Sequence, residues 1–425
     1  RARRIKCDET PEKCRNCTST GRDCDGYEIH RLPHLTKRSN YHLVTTAAIP
    51  WSTTSDERRC FAFVQAHTIP DALSYHDSPL WQQLILQMVN REPAVWHAMV
   101  ALGAVHQEVE PSNLGIPTTL EWMAMAQSTR SFEILRRRNP QDPLMGDVTL
   151  LCCLLFIMKD LVRQDYDSSL QHLRAGLRII REASARGSSP RETPPVYSFW
   201  ATTFRHLDSQ IGVEGRALWG DGGLEAGPPA ANLWQSPQTV DTIQEVRHAL
   251  EPDFNRFIKL GRRCWKMSRH EILSQSSELY LEQFELISQI SCAMQFFETF
   301  RALRYDGPST KDKRSADLLE LWVSSVSLGT RTCTIHYDPT ALQLFTPQYR
   351  ALFRKVQRFI AELPERPTVT VDLGVIPLLF LVAEGCQDFQ VRWQALQELR
   401  DWPHQEAPFN SETIASFLDE RLRIE

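Results

Sequence analysis

Four cysteines fall within the first 24 residues, Cys7, Cys14, Cys17 and Cys24, spaced C-x6-C-x2-C-x6-C. Two thiolates separated by two residues on a tight turn can grip one tetrahedral metal, and zinc is the usual occupant of an all-sulfur site. A module this small folds because the metal binds, so the segment is expected to be mostly disordered as the chain stands and ordered only with a complete ligand set in the full-length protein. As the chain stands, at most one zinc could collect these four thiolates. The basic run Arg1-Ala2-Arg3-Arg4-Ile5-Lys6 leads directly into the first of them. It puts positive charge where a nucleic-acid backbone could be met. The competing readings are four unligated thiols in a flexible leader, or a disulfide framework. Disulfides need an oxidising compartment, and no secretory signal is legible here.

The remainder differs in character. Of 425 residues, 42% are hydrophobic, enough chain to bury a sizeable core in one large or two closely packed helical domains. Residues 1–38 carry a balance of +4, leaving −8 on the rest of a chain whose net charge is −4. A basic head on a mildly acidic body suits a nucleic-acid-binding module joined to a domain that does not bind it. Between residues 28 and 55 there is no sustained periodicity, and Arg31-Leu32-Pro33-His34 with the Thr/Ser-rich stretch to Ser55 marks a linker. No apolar heptads run through it, so a homodimer would have to form through another surface.

From Asp56 onward the pattern is helical nearly throughout, and the expected fold is an all-α array of helical hairpins over residues 56–425. Asp56 is the expected N-cap of a helix through Phe61, Phe63 and Val64. Helices are then predicted over 80–89 and, from Pro93, over 94–106. Further helices are expected near 118–138, 147–163, 168–185, 195–212 and 238–250. The later part adds 254–303, 313–335, 341–362, 374–400 and 411–424. Val369-Thr370-Val371 alone has strand character and is too short to build a sheet.

The text RARRIKCDETPEKCRNCTSTGRDCDGY resembles the fungal binuclear zinc-cluster transcription factors, whose six-cysteine pattern is C-x2-C-x6-C-x5-to-12-C-x2-C-x6-to-8-C. On that pattern Arg1 to Lys6 is the spacer after the second cysteine, and Cys7, Cys14, Cys17 and Cys24 are the third to sixth ligands. The first two ligands are absent and the chain opens without Met, so residues 1–27 resemble an N-terminally truncated module. Pro11 also lies one place earlier than the family's loop proline. The resemblance implies two zinc ions in the complete module: one would keep Cys7 and Cys14, the other Cys14, Cys17 and Cys24. It further implies a short helix in the major groove, with Arg3 and Arg4 reading a CGG-type triplet. The planar fork of arginine suits the O6 and N7 acceptors of guanine. Arg1, Lys6, Lys13, Arg15 and Arg22 are placed for phosphate contacts, which position the module without specifying sequence.

The body resembles the helical regulatory domain that follows the cluster in such factors. FAFVQAHTIPDALSYHDSPLWQQLILQMVNREPAVWHAMVALGAVHQ looks like its opening and VDLGVIPLLFLVAEGCQDFQVRWQALQELRDWP like its closing segment. Val391-Arg392-Trp393 keeps one arginine of the family's usual pair. The resemblance implies a nuclear, sequence-specific regulator of RNA polymerase II transcription and not an enzyme. Its partners would be double-stranded DNA with G/C-rich half-sites and the transcription machinery or co-regulators, with no membrane. The alternative is a helical scaffold or interaction protein that has lost DNA binding because the first two zinc ligands are absent.

Several other features have plainer readings. Thr149 to Met158 is intensely apolar, but Lys159 and Asp160 end it short of the roughly 20 residues needed to cross a bilayer; it reads as a buried helix. Cys152 and Cys153 within it, and Cys60, Cys264, Cys292, Cys333 and Cys386, read as apolar packing residues. Gly220-Asp221-Gly222-Gly223-Leu224 lacks the strand–helix context of a phosphate loop. Asn16-Cys17-Thr18 is a formal glycosylation sequon whose middle residue is a candidate ligand. His67, His97, His106 and His172 lie on apolar helical patterns as core histidines, and Arg136-Arg137-Arg138 reads as a solvated helix end.

Overall fold

The computed structural model of the chain describes Ser19 and residues 49–424, apart from 77, 79–80, 82–83, 111–116, 187–199, 202, 205–206, 209–239, 241 and 305–309. Helices dominate these residues, as the periodicity predicts. The described residues form two compact units, one within residues 1–70 and 79–163, the other within residues 71–78 and 164–425.

The first unit is built on α3 (Pro93–Val109), flanked by α1 (Ser55–Phe63), α2 (Ile85–Val89), α4 (Pro117–Arg137) and α5 (Met145–Val162). Thr54 caps α1, not the expected Asp56. Its hydroxyl accepts from the Glu57 N–H at 3.2 Å, and the Glu57 carboxylate accepts from the Thr54 N–H at 3.0 Å. That capping box satisfies two orphan donors at once, which an Asp56 cap would not. Glu57 is itself buried and also accepts from Gln127 and Arg130 on α4, each at 2.8 Å. After α1 the chain runs through a π-helical turn, Val64–Thr68. There α3 comes so close that a Cβ on Gly103 would lie 2.8 Å from the Cys60 carbonyl oxygen. Trp96, fully buried, packs on Phe61 with ring centroids 4.7 Å apart.

The apolar run 149–158 lies within α5 and is largely buried, Cys152 and Cys153 included. Among the described residues no helix is long and apolar enough to cross a membrane. His106 is buried and its Nδ1 lies 2.9 Å from the Thr68 hydroxyl, while His97 Nδ1 meets Gln127 at 2.5 Å. Arg138 departs from the solvated reading: its guanidinium pairs with Glu92 at 2.5 Å and Asp142 at 2.8 Å. These hydrogen bonds, Glu92's first, raise its pKa further. Arg136 and Arg137 are exposed as expected.

In the second unit, α6 (Tyr166–Arg186) buries Leu170, Leu173, Leu177 and Ile180 at helical spacing. The rest is organised around α10 (Thr310–Thr332). One face of α10, through Leu319, Val323 and Val326, shares a core with α7 (Ile243–Lys266), α8 (Arg269–Ser274) and α9 (Ser276–Arg304). Its other face, through Leu318, Leu321 and Leu328, shares a core with α12 (Thr346–Ala361), α13 (Ile376–Gly385), α14 (Phe389–Asp401) and α15 (Ser411–Ile424). A single turn of helix, α11 (Pro339–Gln343), precedes α12 and is capped by Asp338, whose carboxylate accepts from the Thr340 and Ala341 N–H groups at 3.0 and 3.1 Å.

Several expected boundaries move. The helix predicted to end at 250 continues through Pro252, because the buried stripe of Val246, Leu250, Leu260 and Cys264 outweighs one lost backbone bond. The helix expected over 254–303 instead breaks at Met267. Ser268 starts α8 with its own capping box, the Glu271 carboxylate accepting from the Ser268 N–H at 2.7 Å. Residues 374–400 form two helices, parted where Asp388 accepts from the Gln390 N–H at 2.9 Å. Cys292 is exposed, not packed.

Val369–Thr370 does build a sheet, contrary to expectation. As β1 it pairs in parallel with β2 (Gln405–Glu406), which pairs antiparallel with β3 (Phe409–Asn410). The sheet delivers Glu406 to the start of α13. This carboxylate, 0% exposed, accepts from the N–H groups of Gly374, Val375 and Ile376 at 2.8–2.9 Å. The Tyr75 hydroxyl donates to it at 3.0 Å, and His404 Nε2 lies at 3.0 Å. A buried anion is stable there because three aligned amides and a helix N-terminus compensate its lost hydration. Burial first, then the charge of Glu406, pushes the Tyr75 pKa well above its usual value.

Candidate functional site

The residues singled out for metal and DNA binding all lie outside the described residues. They are Cys7, Cys14, Cys17 and Cys24 with Arg1, Arg3, Arg4, Lys6, Lys13, Arg15 and Arg22. The glycine-rich stretch 220–224 lies outside them too. Among the described residues no group of His, Cys, Asp and Glu side chains is arranged to hold a metal ion.

What the described residues do form is a cavity of about 600 Å³ within the second unit. It opens between the two cores that share α10, where small residues interrupt the facing helices. Gly261 on α7, Gly329 on α10 and Pro377 on α13 line it. A Cβ on Gly329 would meet the Phe257 ring at 2.5 Å, so that glycine lets the ring lie against α10. A Cβ on Gly261 would meet nothing nearer than the Phe257 ring at 4.0 Å. Phe257, Trp322, Phe380 and Leu381 give the cavity an aromatic and aliphatic wall. Trp322 is fixed by its indole N–H, which donates to the Gly374 carbonyl at 3.1 Å. Deeper in, the hydroxyls of Thr332 and Tyr349 share a hydrogen bond of 2.9 Å, and burial pushes the Tyr349 pKa up to about 12. A volume of this size, mostly apolar with a few polar groups, suits a drug-sized organic molecule.

The charged groups are chiefly basic. Arg262, Arg392 and Arg421 line the cavity against one carboxylate, Glu384. Arg421 pairs with Glu384 at 3.1 Å and lies over the Trp265 ring, 5.1 Å from its centroid. Arg392, buried, donates through Nε to the Ala383 carbonyl at 2.7 Å, which ties α14 to α13. Arg262 is half-buried and makes no ion pair or hydrogen bond among the described residues. Its neighbour in sequence, Arg263, is by contrast paired with Glu278 and Glu282. His336 stacks on Trp265 with centroids 5.9 Å apart and uses Nδ1 to reach the Cys333 carbonyl at 2.9 Å. The Cys333 thiol donates to the Thr330 carbonyl at 3.3 Å, and its interaction with the Cys264 thiol lowers the Cys264 pKa and raises that of Cys333. These two cysteines, far apart in sequence, are therefore neighbours. A second cavity, lined by His76, Arg247 and Trp322, is only about 60 Å³, room for little more than water.

Sequence reasoning found Arg392 as part of a motif but missed the cavity. The legible signal was a pair of glycines, Gly261 and Gly329, inside strongly helical segments, where each costs about 1 kcal/mol relative to alanine without a packing or functional reason.

Comparison with known proteins bears on the same chain. Residues 67–209 match the fungal specific transcription factor domain. The chain is 23% identical over 363 residues to the aspercryptin biosynthesis cluster-specific transcription regulator atnN of Emericella nidulans, covering 77% of this chain and 58% of that protein. It is 26% identical over 208 residues to the transcription regulator lscL of Purpureocillium lilacinum, covering 44% of this chain and 48% of that protein. The chain thus spans about half the length of the curated relatives it matches. No solved structure matches it.

Proposed function

We propose that the chain regulates transcription by RNA polymerase II in the nucleus, binding DNA through a zinc-organised N-terminal module and carrying a helical regulatory body. The observation that carries this reading is the domain match over residues 67–209, joined to two relatives named as transcription regulators. The cysteine spacing and basic spacer supply the DNA-binding half. With six cysteines complete, two zinc ions would be held, Cys7, Cys14, Cys17 and Cys24 providing the later ligands. Arg3 and Arg4 read guanines of a CGG-type triplet, while Arg1, Lys6, Lys13, Arg15 and Arg22 hold the phosphates. The DNA would carry G/C-rich half-sites, and the helical body would meet the transcription machinery or co-regulators. Zinc here serves structure, and the reading assigns no reaction to the chain.

Gel-shift titration of the chain with a C-x2-C pair added immediately ahead of Arg1, on CGG-containing duplexes, tests the assignment. Arg3→Ala or Arg4→Ala costs about 1–3 kcal/mol and relaxes the triplet preference. Lys13→Ala lowers the salt slope by about one and leaves the preference unchanged. An Arg4→Ala protein with an intact half-site preference would remove the base-reading role. Absence of any sequence-specific binding would favour a helical interaction protein instead.

A further inference from the structure

We propose that the cavity between the two cores around α10 is an effector site for a small, ring-bearing organic acid whose carboxylate is held by Arg262. The site rests on the geometry of the second unit; its role as an effector site rests on the regulator reading above.

Three observations favour this occupant. The volume, about 600 Å³, fits a drug-sized molecule and is far too large to be explained as a packing void, since such voids rarely exceed a few waters. The wall formed by Phe257, Trp322 and Phe380 offers flat apolar faces on which a ring system can stack. The charge lining is lopsided, and its arginines are not equivalent. Arg421 is occupied by Glu384 and Arg392 by the Ala383 carbonyl, while Arg262 has no partner among the described residues. A half-buried guanidinium with no acceptor is a ready site for a carboxylate, which it can meet through two parallel N–H bonds. A cationic ligand would face three arginines against one glutamate, and a neutral one would leave Arg262 unused.

Gly261 makes the proposal testable without dismantling the core. A side chain there would project toward space the cavity occupies, with no contact nearer than 4.0 Å at its Cβ. Helix propensity also favours replacing a glycine inside α7. Anthracene-2-carboxylate is the probe, with 2-(hydroxymethyl)anthracene as its neutral counterpart, titrated by fluorescence into the 425-residue chain. The acid is expected to bind at one saturable site. Arg262→Met should weaken the acid about tenfold or more and shift the alcohol by less than about twofold. Gly261→Leu should abolish binding of both while leaving the thermal midpoint unchanged or higher. Lack of saturable binding, indifference to Gly261→Leu, or equal weakening of acid and alcohol by Arg262→Met would overturn the proposal. The titration contains no DNA, so its failure removes the site and leaves the regulator reading standing. Loss of sequence-specific DNA binding in the gel shift would do the reverse.

Discussion

His106 shows how a single side chain ties the first unit to pH. It is fully buried on α3, with its ring edge-on to Phe63 and Nδ1 against the Thr68 hydroxyl. Burial first, and then the nearby His67, push its pKa from 6.5 down to about 3. Folded protein therefore keeps the ring neutral where an unfolded chain would protonate it. The unfolded state binds the extra proton between pH 6.5 and about 3, so this contribution is complete above pH 6.5 and lost as pH falls. The slope is about 1.4 kcal/mol per pH unit in that window. Hydrogen exchange in peptides covering α3, corrected for intrinsic rates, should show protection falling about tenfold per unit below pH 6.5. His106→Gln should flatten that slope. A wild-type slope indistinguishable from that of His106→Gln would refute the burial account. Residue-scale expectations fared unevenly for a common reason. Periodicity places a side chain on a buried face, but whether it meets a partner is decided by residues far away in sequence. His106 followed its helical face, whereas Arg138 was paired by Glu92, 46 positions earlier.

At the scale of elements, α13 depends on a carboxylate delivered from the small sheet. Glu406 satisfies three N–H groups at its start and receives the Tyr75 hydroxyl. Glu406→Ala leaves those donors buried without acceptors and should lower stability by about 3–5 kcal/mol, with Glu406→Gln intermediate. Urea midpoints and exchange protection across α13 measure it, and a loss under about 1 kcal/mol would show that water replaces the carboxylate. Because α13 supplies Pro377, Phe380 and Leu381 to the cavity, the same change should also weaken the anthracene probe. Most helices were legible from apolar spacing, since a buried stripe at helical period has few other solutions. Their ends were less legible: the capping boxes at Thr54 and Ser268, which set two of them, went unread behind Asp56 and a continuous 254–303 pattern. The sheet was hidden because β2 is Gln405-Glu406, buried polar residues without the alternation that marks a strand.

For the whole molecule, the two ends of the proposed mechanism are legible by different means. The cysteine module is a property of spacing and can be argued from residues 1–27 alone. The cavity is not, because its lining is drawn from positions between Phe257 and Arg421 that only the fold brings together. Arg262 is indistinguishable from Arg263 in the sequence, yet one lines an apolar cavity and the other is paired with two glutamates. The central claim, a zinc-organised head that recognises DNA, is tested most directly by fluorescence anisotropy of the chain with a C-x2-C pair added ahead of Arg1, on a CGG-containing duplex and a scrambled one. With zinc, the CGG duplex should bind roughly tenfold or more tightly, chelation should erase that difference, and added zinc should restore it. Equal affinity for both duplexes, or a preference that survives complete removal of zinc, would contradict the account.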